Sequence, residues 1–221
     1  LYCDHSLFTT NRLITHELVK FFDDLRNKTL HHRYKQLMVS PLGCRHKLHQ
    51  LIKKEIKLAR LGQEAYIILK MNSLSDERMI AQLYEASNAG VKIKLIIRGM
   101  CCLIPGLKGY SENIEVISII DKYLEHARVW IFSNGGNELI YLSSADWMTR
   151  NLDHRIEVGF PILDPAIKQQ VRDIIDIQLN DNTKARQINQ RNDNRYVKSL
   201  SKTRHRAQKD IYTYLFKMAA G

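Results

Sequence analysis

The sequence predicts an α/β fold, and three observations carry that prediction. Short apolar runs of strand length alternate with helical-period segments from residue 37 to residue 98. Strand, helix, strand, helix, strand in that order is the pattern of an α/β layer with parallel pairing. Further on, Ser133-Asn134-Gly135-Gly136-Asn137 separates two more strand-like runs and reads as a hairpin turn.

The elements follow in order. Residues 10–25 carry apolar side chains at 13, 14, 18, 21, 22 and 25, the spacing of a helix. Residues 35–41 read as a short strand stopped by Pro41. Leu48, Leu51, Ile52, Ile56 and Ala59 line one face of a helix over 46–61, and Gly62 supplies its C-terminal stop. Ala65–Met71 is a buried strand; Ser75 then caps a helix with Asp76 and Glu77 in its first turn and Gly90 at its end. Strands are expected at 91–98, 114–119, 128–132, 138–142 and 155–160. Pro165 opens a helix with Ile167, Val171, Ile174, Ile175 and Leu179 on one face. Residues 181–202 read as polar and irregular, and 207–219 as a final helix.

A hydrophobic content of 44% is that of a globular protein, and apolar runs of about five residues are far too short to span a bilayer. Leu1-Tyr2-Cys3-Asp4 lacks the charged and apolar regions of a signal peptide and reads as the middle of a strand, hence of a shortened chain. Cys3, Cys44, Cys101 and Cys102 include no CxxC pair and are expected to be reduced thiols. The net charge is +11, and ten Lys and Arg against three Asp put +7 of it in residues 181–217. That segment is either a solvated tail or a surface for a polyanion such as nucleic acid or chained phosphate.

Phosphate chemistry has a candidate home at the strand ends. Arg98 closes a strand in a fold whose ligands bind at the carboxyl ends of strands, although an arginine there can also simply reach for solvent. His126 stands two residues before Arg128, so strand periodicity turns both toward one face. An imidazole can attack phosphorus, protonate a leaving oxygen or steady a developing negative charge. Ser143, Ser144 and Asn151 offer hydroxyl and amide groups, Asp146 could hold the imidazole in one tautomer, and Arg155 adds positive charge. Neither a P-loop nor an HExxH motif is present. His31-His32 and the pair His46 and His49 have no Cys or carboxylate in the sequence pattern to complete a metal site, so no metal ligands are assigned.

The segments "LMVSP", "LIIRGMCCLIPGL", "YLEHARVWIF" and "YLSSADWMTRNLDHRIEV" resemble the C-terminal half of bacterial polyphosphate kinases, which belong to the phospholipase D-like superfamily. The resemblance covers essentially the whole chain and implies a mixed sheet flanked by helices, preceded by the end of a second similar domain. It divides the chain into 1–36, the end of a first phospholipase D-like domain; 37–180, a second such domain; and 181–221, a basic segment with a final helix. It implies reversible transfer of the ATP terminal phosphate to inorganic polyphosphate, with Mg2+, through a phosphohistidine whose motif lies upstream of Leu1, as do the Mg2+ ligands. His126 matches the family's second histidine, an acid or electrostatic stabiliser, while Tyr2, Arg98 and Arg155 match residues that contact ATP or its phosphates. Asp4, beside Tyr2, is expected to orient the missing nucleophile; Arg128, Ser144, Asp146 and Asn151 are supporting residues. The implied partners are ATP, ADP, polyphosphate and further copies of the chain in a dimer or larger homo-oligomer, with no obligatory nucleic acid. The implied location is cytoplasmic, with membrane association left open, and the fragment alone is expected to be inactive. Two rival readings stand: a phospholipase D-like phosphodiesterase or nuclease, in which Arg128 takes the place of the usual lysine, and a non-catalytic polyanion-binding module.

Overall fold

In the computed structural model the described residues are 2–198 and 203–220, with Tyr2 described by its backbone alone. The chain runs β1 (Tyr2–Cys3), α1 (Arg12–Arg26), β2 (Met38–Ser40), α2 (Cys44–Arg60), β3 (Tyr66–Met71), α3 (Glu77–Asn88), β4 (Lys92–Ile97) and β5 (Ile114–Ile119). It continues with β6 (Leu124–Glu125), β7 (Arg128–Phe132), β8 (Leu139–Ser143), a π-turn at Arg150–His154, β9 (Glu157–Pro161), α4 (Pro165–Leu179), β10 (Ala185–Ile188) and α5 (Ala207–Ala220).

Eight strands form one mixed sheet in the order β10-β5-β4-β3-β7-β8-β9-β2. β3, β4 and β5 are parallel, as the strand–helix alternation requires, and every other pairing in that sheet is antiparallel. Successive side chains face opposite ways along a strand. Ile67, Leu69 and Met71 of β3 therefore join α2 and α3 in one core, with Trp130 and Phe132 of β7. Ile68 of β3, with Val129 and Ile131 of β7, joins Val171 and Ile175 of α4 in the other. Each fully buried leucine or isoleucine contributes roughly 1.5–3 kcal/mol. Strands buried on both faces read as continuous apolar runs, which is why β3 and β7 were legible at once.

α1 packs by Ile14 and Phe21 against Leu37 and Val39. Its link to β2 is held by charge. Glu17 accepts the N–H groups of Lys35, Gln36 and Leu37 at 2.6, 2.9 and 2.9 Å. Lys47 Nζ of α2 donates to the carbonyls of Tyr34, Lys35 and Leu37 at 2.7, 2.8 and 2.8 Å.

Two expectations are corrected. The cap of α3 is Asp76 rather than Ser75: its carboxylate accepts from Met79 N at 3.0 Å and also grips Arg45 and Thr149. The segment 181–202, read as irregular, contains β10, an edge strand antiparallel to β5. Its sequence, Ala-Arg-Gln-Ile, has no strong β signal; backbone pairing decides its conformation. Asp181, buried, fixes that turn by accepting the N–H groups of Thr183, Lys184 and Ala185 at 2.9, 2.6 and 2.9 Å, and it reaches Ala207 N at 2.6 Å to start α5. No helix among the described residues is long and apolar enough to cross a membrane. Cys3, Cys44, Cys101 and Cys102 form no disulfide.

Candidate phosphate-binding site

β3 and β4 end, and β7 and β9 begin, at the same edge of the sheet; β8, antiparallel to β7, also ends there. This is the carboxyl edge of the parallel strands, where α/β sheets collect their ligands. A cleft of about 490 Å³ opens at it, lined by Asn72, Ser73, Arg98, His126, Arg128, Ser144, Asp146, Arg150, Asn151, Arg155 and Glu157. Seven of the ten residues singled out from the sequence thus converge: Arg98, His126, Arg128, Ser144, Asp146, Asn151 and Arg155. The three exceptions are Asp4, which reaches His126 from outside the cleft lining, Ser143, whose hydroxyl is tied to the Val158 carbonyl and the Ala145 N–H at 3.3 and 3.0 Å, and Tyr2, whose side chain lies outside the described residues.

His126 is positioned from two sides. Its backbone N–H donates to the Cys3 carbonyl at 2.8 Å, continuing the parallel pairing of β1 with β6. That register brings Asp4 alongside, its Oδ2 3.3 Å from His126 Nδ1. From the other side, Arg128 Nη1 lies 2.9 Å from Nδ1 and 3.3 Å from Nε2, and donates to the His126 carbonyl at 2.9 Å. Nδ1 can donate to Asp4 only when it carries a proton, and accept from Arg128 only when it does not. The two neighbours therefore favour opposite proton states of one atom.

Asp146 does something other than what its spacing suggested. Its carboxylate takes Arg128 Nε and Nη2 at 3.3 and 3.2 Å, and accepts the N–H groups of Asn72 and Ser73 at 2.8 and 3.3 Å. Asp146 therefore orients Arg128, and the carboxylate at the imidazole is Asp4, which had been assigned to the missing nucleophile. The sequence spacing put Asp146 near the right residues but could not distinguish a guanidinium from an imidazole two positions away.

Arg98 donates through Nε to Asn72 Oδ1. The following Gly99 is required by close approach: its N–H meets the Asn72 carbonyl at 2.8 Å, and a Cβ there would come within 2.8 Å of the same oxygen. Glu157 receives Asn151 Nδ2 at 2.6 Å and the Ser144 hydroxyl, while Ser144 Oγ accepts from Val158 N at 3.1 Å. Two residues of the cleft lining each carry a buried amide atom with no partner among the described residues, Asn72 Nδ2 and Asn151 Oδ1. The π-turn widens the backbone so that Arg150 and Arg155 flank the cleft. The Arg155 guanidinium makes no hydrogen bond or ion pair among the described residues. Four guanidinium groups against two carboxylates leave the site cationic.

The sequence reading missed Asn72, Ser73, Arg150 and Glu157. Asn72 and Ser73 follow the end of β3 just as Arg98 follows β4, so the strand-end rule could have found them. Arg150 and Glu157 had no comparable signal, because a π-turn has no sequence signature of its own. One further reading is corrected: a carboxylate does meet the adjacent histidines 31 and 32, namely Asp24 from α1.

The sequence profile described as polyphosphate kinase C-terminal domain 2 matches residues 37–208. The chain belongs to this family. The family region begins at the end of the link into β2 and runs through β10 to the first turn of α5. Polyphosphate kinases of Yersinia pestis and Escherichia coli K12 are 50% and 49% identical over 215 residues, 97% of this chain. The chain spans 31% of the length of each. The crystal structure of the polyphosphate kinase of Porphyromonas gingivalis superposes with a TM-score of 0.91 at 42% identity, covering 95% of this chain and 32% of that one.

Proposed function

We propose that this chain supplies one wall of a polyphosphate kinase active site, which moves a phosphoryl group reversibly between ATP and inorganic polyphosphate. The observation that carries the reading is the convergence of His126 with Arg98, Arg150 and Arg155 in one cleft at the carboxyl edge of the sheet. Phosphoryl transfer needs positioning and charge neutralisation more than covalent chemistry from the protein. In this reading Arg98 and Arg155 clamp phosphate oxygens, which a planar guanidinium can take in pairs. Arg128, already neutralised by Asp146, positions the imidazole instead of binding substrate. His126 protonates or steadies the bridging oxygen as the phosphoryl group leaves, and Asp4 holds Nδ1 when it is protonated. Tyr2 contacts the nucleotide. The phosphorylated histidine itself comes from residues before Leu1, within a first domain whose end is residues 1–36.

The donor set does not fit magnesium. The two carboxylates of the cleft are engaged, Asp146 with Arg128 and two N–H groups, Glu157 with Ser144 and Asn151. No step is assigned to a metal on these residues, in keeping with Mg2+ ligands elsewhere in the whole enzyme. The whole enzyme is read as a cytoplasmic homo-oligomer.

The test is His126→Ala in the full-length protein. Transfer from ATP to polyphosphate should fall by about 10²–10⁴-fold, the usual contribution of a positioned acid or base, with the fold intact by circular dichroism. Near-normal turnover would remove His126 from the mechanism. Release of nucleotides from DNA by the parent protein would favour a phosphodiesterase instead.

A further inference from the structure

Asp24, His31 and His32 lie away from the cleft, at the end of α1. Asp24 is fully buried. Its Oδ1 lies 2.6 Å from His32 Nδ1 and 3.1 Å from His31 Nδ1. One ring nitrogen from each histidine and this oxygen all fall within 4.8 Å of one another. The two rings are 4.2 Å apart between centroids and inclined by only 33°, so they approach the carboxylate side by side. Asp24 Oδ2 is occupied separately, by Tyr34 Oη at 2.6 Å and His32 N at 3.3 Å. Those bonds fix the carboxylate and leave Oδ1 directed at the two imidazoles.

We propose that these three residues form a binding site for a divalent cation of the zinc type, with His31 and His32 giving Nδ1 and Asp24 giving Oδ1. Two imidazoles and one carboxylate are a donor set that suits late first-row cations, and water would complete a tetrahedron. Zinc–nitrogen bonds of about 2.0–2.1 Å hold tetrahedral ligands about 3.4 Å apart. Asp24 and the rings now sit somewhat closer than that, as expected where protons occupy the place of the ion. The adjustment falls on His31, which is 63% exposed on a connecting segment and whose Nδ1 exchanges its 3.1 Å contact with Thr29 Oγ1 for the ion. That exposure also gives the ion its path in and room for the water. Tyr34 and the His32 N–H act as the outer hydrogen-bonding shell that orients a ligating carboxylate. The nearby Arg26 is turned to Asp23 and does not compete for Asp24. The bound ion would pin the C-terminal end of α1 to the segment entering β2, so binding should add directly to stability.

Zinc titration of the whole chain by calorimetry, with Co2+ absorption as a reporter of geometry, tests this. The expected result is one site per chain, a tetrahedral Co2+ spectrum and a zinc-dependent rise in Tm. His31→Ala, at an exposed position where folding is safe, should weaken zinc binding at least tenfold and abolish the rise in Tm. A His46→Ala, His49→Ala variant, removing the histidine pair of α2, should behave as the parent. Absence of zinc binding by the parent, unchanged affinity in His31→Ala, or an equal loss in the α2 variant would each overturn the assignment.

Discussion

The five-residue π-turn at Arg150–His154 has two sides, and they differ in what their charges have left to do. On the inner side Asp153 receives Arg45 through Nε and Nη2 at 2.8 and 2.9 Å, and also meets Arg78. Arg45 continues to Asp76 at 2.7 and 2.8 Å, so all three nitrogens of its guanidinium are committed. The hydrogen bonds it donates to Asp76 and Asp153 raise its pKa despite burial. On the outer side, among the described residues, the Arg155 guanidinium has no hydrogen-bond or ion-pair partner and that of Arg150 only a long contact of 3.7 Å to Met148 Sδ. Both sides are rich in arginine, so composition alone does not separate them. Engagement does: a saturated guanidinium holds the fold, and an unengaged one at the mouth of a cleft is available to an anion.

The comparison breaks if the two arginines behave alike on substitution. Arg155→Ala in the full-length protein should reduce phosphate transfer by about 10²–10³-fold, the effect of losing one preorganised donor. Its Tm should stay near that of the parent, since surface changes usually fall within about 0.5 kcal/mol. Arg45→Ala should do the reverse, costing about 3 kcal/mol in urea unfolding because Asp76 and Asp153 lose a largely buried partner. If Arg45→Ala left stability unchanged, engagement would be the wrong criterion.

Two smaller effects sharpen the same distinction for carboxylates. Asp181→Asn should lose about 1–3 kcal/mol, since its one oxygen can serve the three N–H groups that Oδ1 accepts only if its NH2 faces the Ala207 N–H that Oδ2 accepts. Chemical denaturation of the two proteins measures this. The smallest effect is acid sensitivity. Asp76 is held down at about 2: burial pushes its carboxyl up, but bonds from Arg45, Met79 N and Thr149 outweigh it. Asp24 is likewise at about 2, with burial opposed by Tyr34 and His32. A depressed folded pKa adds stability that is present above the unfolded value near 4 and is lost as pH falls through the folded one. Tm should therefore drop between about pH 4 and pH 2, and less steeply in Asp76→Asn; identical profiles would refute the contribution of Asp76.

Much of the fold was legible because burial on both faces writes a plain signal. The limits of β5 and β7 coincide with those read from the sequence, and Gly62 and Gly90 stop their helices in left-handed backbone at φ of 70° and 97°. β10 was not legible because an edge strand is specified by its partner's hydrogen bonds and by Asp181, neither of which marks its own residues. In the cleft, residue types and strand ends were enough to gather Arg98, His126, Arg128 and Arg155. They did not assign partners. Asp4 stands at the imidazole in place of Asp146 because that choice depends on a two-residue pairing between β1 and β6, which no periodicity announces. Asp24 stayed hidden from His31 and His32 for a similar reason: the chain reverses direction after α1 and brings together residues with no shared spacing.

The link held by Glu17 and Lys47 grips peptide groups and ignores the side chains of Lys35 and Gln36. Those two positions should accept almost any residue except proline, which would remove a donor that Glu17 requires. The route from the first helix into the sheet is thus written in two distant ionic side chains, and the linking residues themselves carry almost none of the instruction.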